Sequence, residues 1–415
     1  MSYIVSGAKK LAFFALPTLV ILAQWVSFGG VRLSWLISAV LLMIVASRAR
    51  RALLRSCVIL LPAALVMIYP LFSFRYGAAE TFNFSLYLSL LTGMIYMLFV
   101  IFLKDGEFSA VLGGAFFSCL LFALWGAHEV VTGEYVLFNH EILTDRLNWA
   151  GKHYPGVAFA NTNDLAQYLV MLFPVAGAKF VKSWRSMLLF LPTAVPVFFV
   201  IFHTGSRLSM AVFIGTLVVS AFLILILDAA RSGKMKDWIK VVALLLLLIA
   251  GLIVADQKTG IIKKVFDNFL SVDTSADYYT GRSVLYINLF KTAIRYPNGG
   301  FGTAYAIQDM APHNFFLYFL CDFGWIFGIL FVLLLLWIGM RFFKSMRLRA
   351  DKIYSAFLLV SLCVFPITSC ISSTNEQRKI VWLILGIFIR NFIAFGKKLR
   401  ARSKANRNAG AVEDI

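Results

Sequence analysis

The sequence predicts an all-α polytopic membrane protein of about twelve transmembrane helices, and three observations carry that prediction. Of 415 residues, 60% are hydrophobic, a share that leaves little polar surface for a soluble domain. Apolar runs repeatedly reach the ~20 residues that cross a bilayer core. Basic residues gather in every second connection between those runs, the pattern expected of loops held on the cytoplasmic side.

Taken in order, the spans fall at about 11–29, 33–47, 53–73, 83–103, 108–127, 163–181, 186–203, 207–227, 238–255, 314–340, 354–371 and 379–396. The first contains the apolar run from Leu11 to Trp25, which lacks a small-residue cleavage site and so reads as a span rather than a signal peptide. Arg48, Arg50, Arg51 and Arg55 separate the second and third, Lys104 the fourth and fifth, and Lys179, Lys182 and Arg185 the sixth and seventh. Arg231, Lys234, Lys236 and Lys240 precede the ninth, the run from Arg341 to Lys352 follows the tenth, and a basic tail, 397–415, follows the twelfth. The polar-leaning stretches, roughly 128–162 and 256–313, are too short to be independent globular units, so 1–415 forms one membrane domain.

With both termini cytoplasmic, the inner side holds 26 of the 39 Lys and Arg and 7 of the 20 Asp and Glu. The outer side is then neutral, and the whole net charge of +19 faces the cytoplasm. A basic face toward anionic lipid accounts for the charge, and no nucleic-acid partner is needed. The five cysteines fall inside spans and form no CxxC pattern. The two long outer loops are dissimilar, so the chain lacks the related halves of a secondary transporter, and its intramembrane charges are too few to trace a polar pathway.

Several polar residues collect on the outer side. "GVAFANTNDLAQYL" carries Asn161, Asn163 and Asp164 into the sixth span, and "HTGSRLSM" sets Arg207 at the start of the eighth. "YYTGRSVLYINLFKTAIRYPNGGFGTAY" puts Arg282 at the head of an amphipathic helix in the last outer loop. There Asn288, Lys291 and Arg295 share one face, and Leu285, Leu289, Phe290 and Ala293 the other. "MAPHNFFLYFLCDFGWIFG" opens the tenth span with His313 and Asn314, a pair that reads either as an interfacial cap or as a working group at the bilayer surface. Each of these residues also has a plain reading: snorkelling for Arg207, solvation for Arg282, Lys291 and Arg295, capping for Asp164, and pairing of Glu376 with Arg378.

These four motifs, in this order and at these topological positions, resemble those of the bacterial O-antigen ligase and O-antigen polymerase superfamily, most strongly over 156–328. The His-Asn pair followed by Gly324 is similar to the ligase signature, in which a second glycine comes three residues later; here that position is Phe327 and the glycine is Gly328. The resemblance implies a GT-C type glycosyltransferase of the inner membrane with its active site facing the periplasm. It implies an undecaprenyl-diphosphate-linked glycan donor and a lipid A-core acceptor, with inversion at the anomeric carbon. On the matching motifs His313 is the catalytic histidine, and Arg207 and Arg282 bind the donor diphosphate. Asn161, Asn163, Asp164, Asn314, Arg295, Glu376 and Arg378 are supporting candidates, with Asp164 and Glu376 as alternative bases. No Asp-x-Asp pair occurs, and His128, His140, His153 and His313 lack metal-ligand spacing, so the expected reaction uses neither metal nor cofactor. The alternatives are a polymerase joining repeat units on the same carrier, a protein O-oligosaccharyltransferase, whose known forms carry a sizeable soluble domain, and a transporter.

Overall fold

The computed structural model describes residues 2–23, 26–28, 31–50, 53–135, 147–148, 151–159, 161–235, 238–239, 242–243, 257, 276–306, 314–346, 348, 352–370 and 378–413. The helices among them are α1 (Ser2–Leu22), α2 (Leu33–Arg50), α3 (Leu53–Ser73), α4 (Phe84–Ile101), α5 (Asp105–Thr132), α6 (Thr162–Gly177) and α7 (Trp184–His203). They continue with α8 (Arg207–Ser232), α9 (Ala276–Arg295), α10 (Thr303–Ala306), α11 (Phe315–Ser345), α12 (Lys352–Thr368) and α13 (Arg378–Glu413). Beyond helices, the described residues hold only a minimal hairpin, β1 (Ser27–Phe28) against β2 (Val31–Arg32), and one bridge between Leu147 and His153. Among the described residues eight helices are long and apolar enough to cross a membrane, so the chain is a multi-pass helical membrane protein. The helices α6 and α12 match two further expected spans, whereas α1 begins nine residues before the expected first span, 11–29, and ends seven short of it, where Ser27–Phe28 forms a strand. The ninth expected span, 238–255, lies almost wholly outside the described residues.

Charged groups from four helices, α1, α2, α5 and α13, meet at one end of the bundle. Glu107, at the start of α5, pairs with Lys9 of α1 at 2.9 Å and with Arg48 at the end of α2 at 2.8 Å. Arg390 of α13 donates to the Leu103 carbonyl at 3.2 Å and pairs with Asp105. Lys179 donates to the Ser109 carbonyl at 2.7 Å. All these cations are among those that the charge pattern puts on one side. This is the basic end.

Helix α6 is the centre of the bundle. It packs against α5, α7, α8, α12 and α13, and every residue from Asp164 to Gly177 is buried. Its 16 residues span only about 24 Å, less than the ~30 Å of a bilayer core. The missing length is at the end opposite the basic one. The Tyr168 hydroxyl donates to Ser118 Oγ at 3.0 Å, and the Phe159 ring lies 6.1 Å from that of Phe122. Phe122 stands about ten residues before the end of α5, so α6 begins roughly 15 Å below that end.

The chain reaches this depth as a buried, non-helical segment, 155–159. Irregular backbone at such depth persists only where protein satisfies it. Glu129, fully buried in α5, does so by accepting the N–H groups of Gly156 and Val157, both at 2.8 Å. Val157 has φ 52°, a left-handed conformation rare for a β-branched residue, with a strain cost of about 1–3 kcal/mol.

The expected tenth span, 314–340, is not one straight helix. Gly324 has φ 80° and ψ 176°, a conformation open essentially to glycine alone, and the chain doubles back there. The Phe315 and Phe331 rings are 6.0 Å apart, and Phe319 lies 5.3 Å from Phe331. In a continuous helix the first pair would stand about 24 Å apart. One amide and one carbonyl of α11 at the break are taken up by the Pro297–Gly300 turn: Trp325 N–H donates to the Pro297 carbonyl and Gly300 N–H to that of Cys321, each at 2.9 Å. A Cβ on Gly324 would stand 2.6 Å from the Pro297 oxygen, and one on Gly299, itself at φ 74°, would collide with the Gly324 nitrogen. The same turn holds the end of α3, through Phe301 N–H to Ser73 Oγ at 3.4 Å and a bond from the Tyr69 hydroxyl to the Asn298 carbonyl. Asn314 therefore lies level with Phe331, about 10 Å below the Gly324 turn, and not at the outermost mouth of a span.

Candidate functional site

Three helix starts end up sunk on the side opposite the basic end: those of α6, α11 and α13. Trp382 of α13 packs on Gly93 of α4, about nine residues, or ~14 Å, below the start of α4. The Phe315 ring is 6.0 Å from that of Trp382, which sets the start of α11 at the same level. The Cys370 thiol, just after α12, donates to the Pro366 carbonyl at 3.1 Å and also touches the Phe315 backbone. Gln167 of α6 donates to the Thr368 carbonyl at 2.9 Å. Thr162 Oγ1 reaches the Thr204 carbonyl at 3.4 Å, joining α6 to the turn that leads into α8. The motifs around Asn161, Arg207 and Asn314 are thus gathered at one end of the bundle. Unsatisfied N–H groups and the positive end of the helix dipole make sunken helix starts favourable surroundings for an anion.

The expected site residues take different positions within this arrangement. Arg207 is the first residue of α8 and is exposed. Asn161 caps α6 by accepting from Asn163 N–H at 2.9 Å, and Asp164, in the first turn, is 1% exposed. Asn314 caps α11, its side chain accepting from Phe316 N–H and Leu317 N–H, each at 3.1 Å. The capping role read for the His-Asn pair therefore belongs to Asn314. His313 and Glu376 lie outside the described residues, and Arg378 is the first residue of α13.

Arg282 lies in the second turn of α9, because that helix begins at Ala276 rather than at Arg282. Asn288, Lys291 and Arg295 are exposed as expected, and Arg295 stacks over the neighbouring Tyr296 ring. The opposite face is narrower than the sequence suggests. Leu289 and Ala293 are buried, but Phe290 is 46% exposed at the edge, against Trp325 at 6.0 Å. Its position, 100° around from Leu289, puts it beside the contact rather than in it. The helix is also tied to α11, with Trp325 Nε1 donating to the Ala293 carbonyl at 2.9 Å.

Sequence reasoning missed four groups. Glu129 supports the buried segment, and its only outward sign was a carboxylate in the last turn of an apolar helix. The Tyr135 hydroxyl, donating to the Tyr154 carbonyl at 2.7 Å beside it, is pushed up to about 12 by burial and by the Glu129 charge, so it remains a neutral donor near neutral pH. Asp322 is buried beneath the Gly324 turn and accepts from Ala304 N–H at 3.2 Å, at α10. Lys379 is 6% exposed although it follows Arg378 in what reads as a surface pair.

The chain is similar to a curated protein named for teichuronic acid biosynthesis. It is 24% identical over 369 residues to the teichuronic acid biosynthesis protein TuaE of Bacillus subtilis (strain 168), and the alignment covers 80% of this chain and 70% of the relative. No protein-family model matches the chain.

Proposed function

We propose that the protein is a glycosyltransferase of cell-surface polysaccharide assembly, an O-antigen ligase that moves a glycan from undecaprenyl diphosphate to a sugar hydroxyl of lipid A-core. It would do so at the periplasmic side of the bacterial inner membrane. The observation that carries this reading is the gathering of three sunken helix starts beside Arg207, surroundings suited to an anionic group on a lipid at membrane depth. The similarity to a teichuronic acid biosynthesis protein adds support for polysaccharide assembly.

The chemistry follows from the residue types. The acceptor oxygen attacks the anomeric carbon, the bond from that carbon to the diphosphate oxygen breaks, and the acceptor proton passes to His313. The diphosphate leaves with its own negative charge, so it needs charge stabilisation more than a proton, and two guanidiniums offer bidentate donors to its oxygens. An imidazole with an ordinary pKa of ~6.5 is suited to act as base near neutral pH. Attack opposite the leaving group inverts the anomeric centre. The twelve-span GT-C arrangement with both termini cytoplasmic belongs to the same proposal.

A polymerase that joins repeat units on the carrier would share the donor site. Phe327, where the ligase signature has glycine, favours keeping that second reading. The lipid-linked glycan that accumulates without the protein separates the two. Loss of a ligase leaves bare core and carrier-linked polymer; loss of a polymerase leaves single repeat units on the core.

Two further expectations test this reading. Reporters fused after Ser232 and after Met346 should be cytoplasmic, and reporters after Asn139 and after Asp273 periplasmic; reversed signals at the last two remove the site from the periplasm. Arg207→Lys and Arg282→Lys should each reduce glycan transfer at matched protein level, because an ammonium cannot reproduce the guanidinium fork. Full activity in both would make the arginines interfacial anchors.

A further inference from the structure

The turn that carries Arg207 is gripped by a residue distant in sequence. Between His203, the last residue of α7, and Arg207, the first of α8, the chain passes through Gly205 at φ 73°. Glycine leaves the backbone free to swing, so the direction of Arg207 depends on what holds the turn. Asn148, 55 residues before His203, holds it. Its Nδ2 stands 3.0 Å from His203 Nδ1 and donates to the His203 carbonyl at 3.2 Å. That carbonyl is one of the four that a helix end leaves without an internal partner. Asn148 and His203 are 4% and 6% exposed, so the contact is buried and shielded from competing water.

The hydrogen bonds fix the state of both side chains. Asn148 Oδ1 accepts from Lys152 N–H at 3.2 Å, and Nδ2 faces a carbonyl, which can only accept, so the amide has one orientation. His203 Nδ1 is therefore the acceptor, and the neutral imidazole carries its proton on Nε2. Asn148 is itself anchored, its N–H donating to the Lys152 carbonyl at 2.7 Å and its carbonyl accepting from Gly151 N–H at 2.8 Å. Residues 151–155 run back to the end of α5. There the Tyr135 hydroxyl donates to the Tyr154 carbonyl at 2.7 Å, and the His153 ring packs on Gly133. The Tyr154 ring covers Gly205, where a Cβ would meet it at 3.4 Å. One strap thus ties the end of α5 to the turn before Arg207.

We propose that Asn148 and His203 are positioning residues for Arg207, holding the turn so that its guanidinium meets the donor diphosphate in a fixed direction. The inference rests on the reading of Arg207 as a diphosphate-binding group. It adds what that reading lacks, a reason for an exposed arginine to be directed before the donor arrives, which lowers the cost of binding. Both residues act through Arg207.

The test uses the full chain, purified and reconstituted in nanodiscs, with undecaprenyl diphosphate bearing no sugar as the probe and binding read by native mass spectrometry. Asn148→Ala should weaken binding about tenfold, since a misdirected fork forfeits much of its advantage. In an Arg207→Lys background, where the fork is already gone, the same change should add little, because residues that act through one group are not additive. His203→Asn and His203→Gln separate the bond from the bulk. The Asn oxygen can stand where Nδ1 stood, and this variant should retain most of the binding. Gln is closer to histidine in size but carries its amide to the Nε2 position, and it should lose as much as Asn148→Ala.

Full binding in Asn148→Ala, an undiminished further loss in the Arg207→Lys background, or equal binding by the two His203 variants overturns the positioning role and leaves the transferase reading standing. If Asn148→Ala fails to fold, the His203 pair decides. Undiminished binding in Arg207→Lys alone removes Arg207 from the donor site, and the premise of the inference with it.

Discussion

Replacing His313 with glutamine is expected to lower glycan transfer by ~10²–10⁴-fold, the usual worth of a general base, while leaving the protein folded and able to bind its donor. Two roles were open for the histidine. The capping role is filled by Asn314, whose side-chain oxygen accepts from both Phe316 N–H and Leu317 N–H. Glutamine would serve equally well as a polar residue before that cap, but an amide does not accept a proton at neutral pH. The measurement is transfer to lipid A-core in a purified assay without added metal, at matched protein level. A rate near that of the unaltered enzyme would end the base assignment and move the search to Asp164 and Glu376.

Gly324→Leu should abolish function by a different route. The ψ of 176° at φ 80° is closed to other residues, and a Cβ would strike the Pro297 carbonyl. Relief comes by straightening α11 into one helix, which carries Asn314 out of the level of Phe331. Spin labels at Phe316→Cys and Phe331→Cys, in a background with the five native cysteines replaced, should be close with Gly324 present. They should separate toward the ~22 Å of a straight helix when leucine replaces it. A short distance in the leucine variant would show that the turn is held by packing alone and that Gly324 is replaceable.

Much of the fold was legible because hydrophobic runs and basic turns record membrane position directly. Arg48, Lys104 and Lys179, assigned to one side, fall together, and Lys9 and Arg390 join them. The doubling back at Gly324 was not legible, since "FFLYFLCDFGWIFGILFVLLLL" has the same apolar content whether straight or folded. Hydropathy counts residues and is blind to the direction in which they run. The sunken start of α6 was hidden for a related reason. Its depth is set by Glu129, distant in sequence, accepting from Gly156 and Val157, and no local pattern announces such a bond. For the candidate site, the gathering of the motif segments followed from topology, whereas the burial of Lys379 depends on how α13 sits against α4 and was not visible beside Arg378.

The shortness of α6 bears on how the protein is made. A 16-residue helix that carries Asp164 and Gln167 is a poor candidate for leaving the insertion machinery unaided. Two of the helices that enclose it, α12 and α13, are synthesised long after it, and until they arrive one flank of α6 faces lipid or its neighbours' temporary substitutes. The first half of the chain thus reaches its final arrangement only when the C-terminal helices close around it. Biogenesis should therefore run from a loosely inserted set of early spans to a late, concerted docking, and chains stalled before Lys352 should be prime targets for membrane quality control.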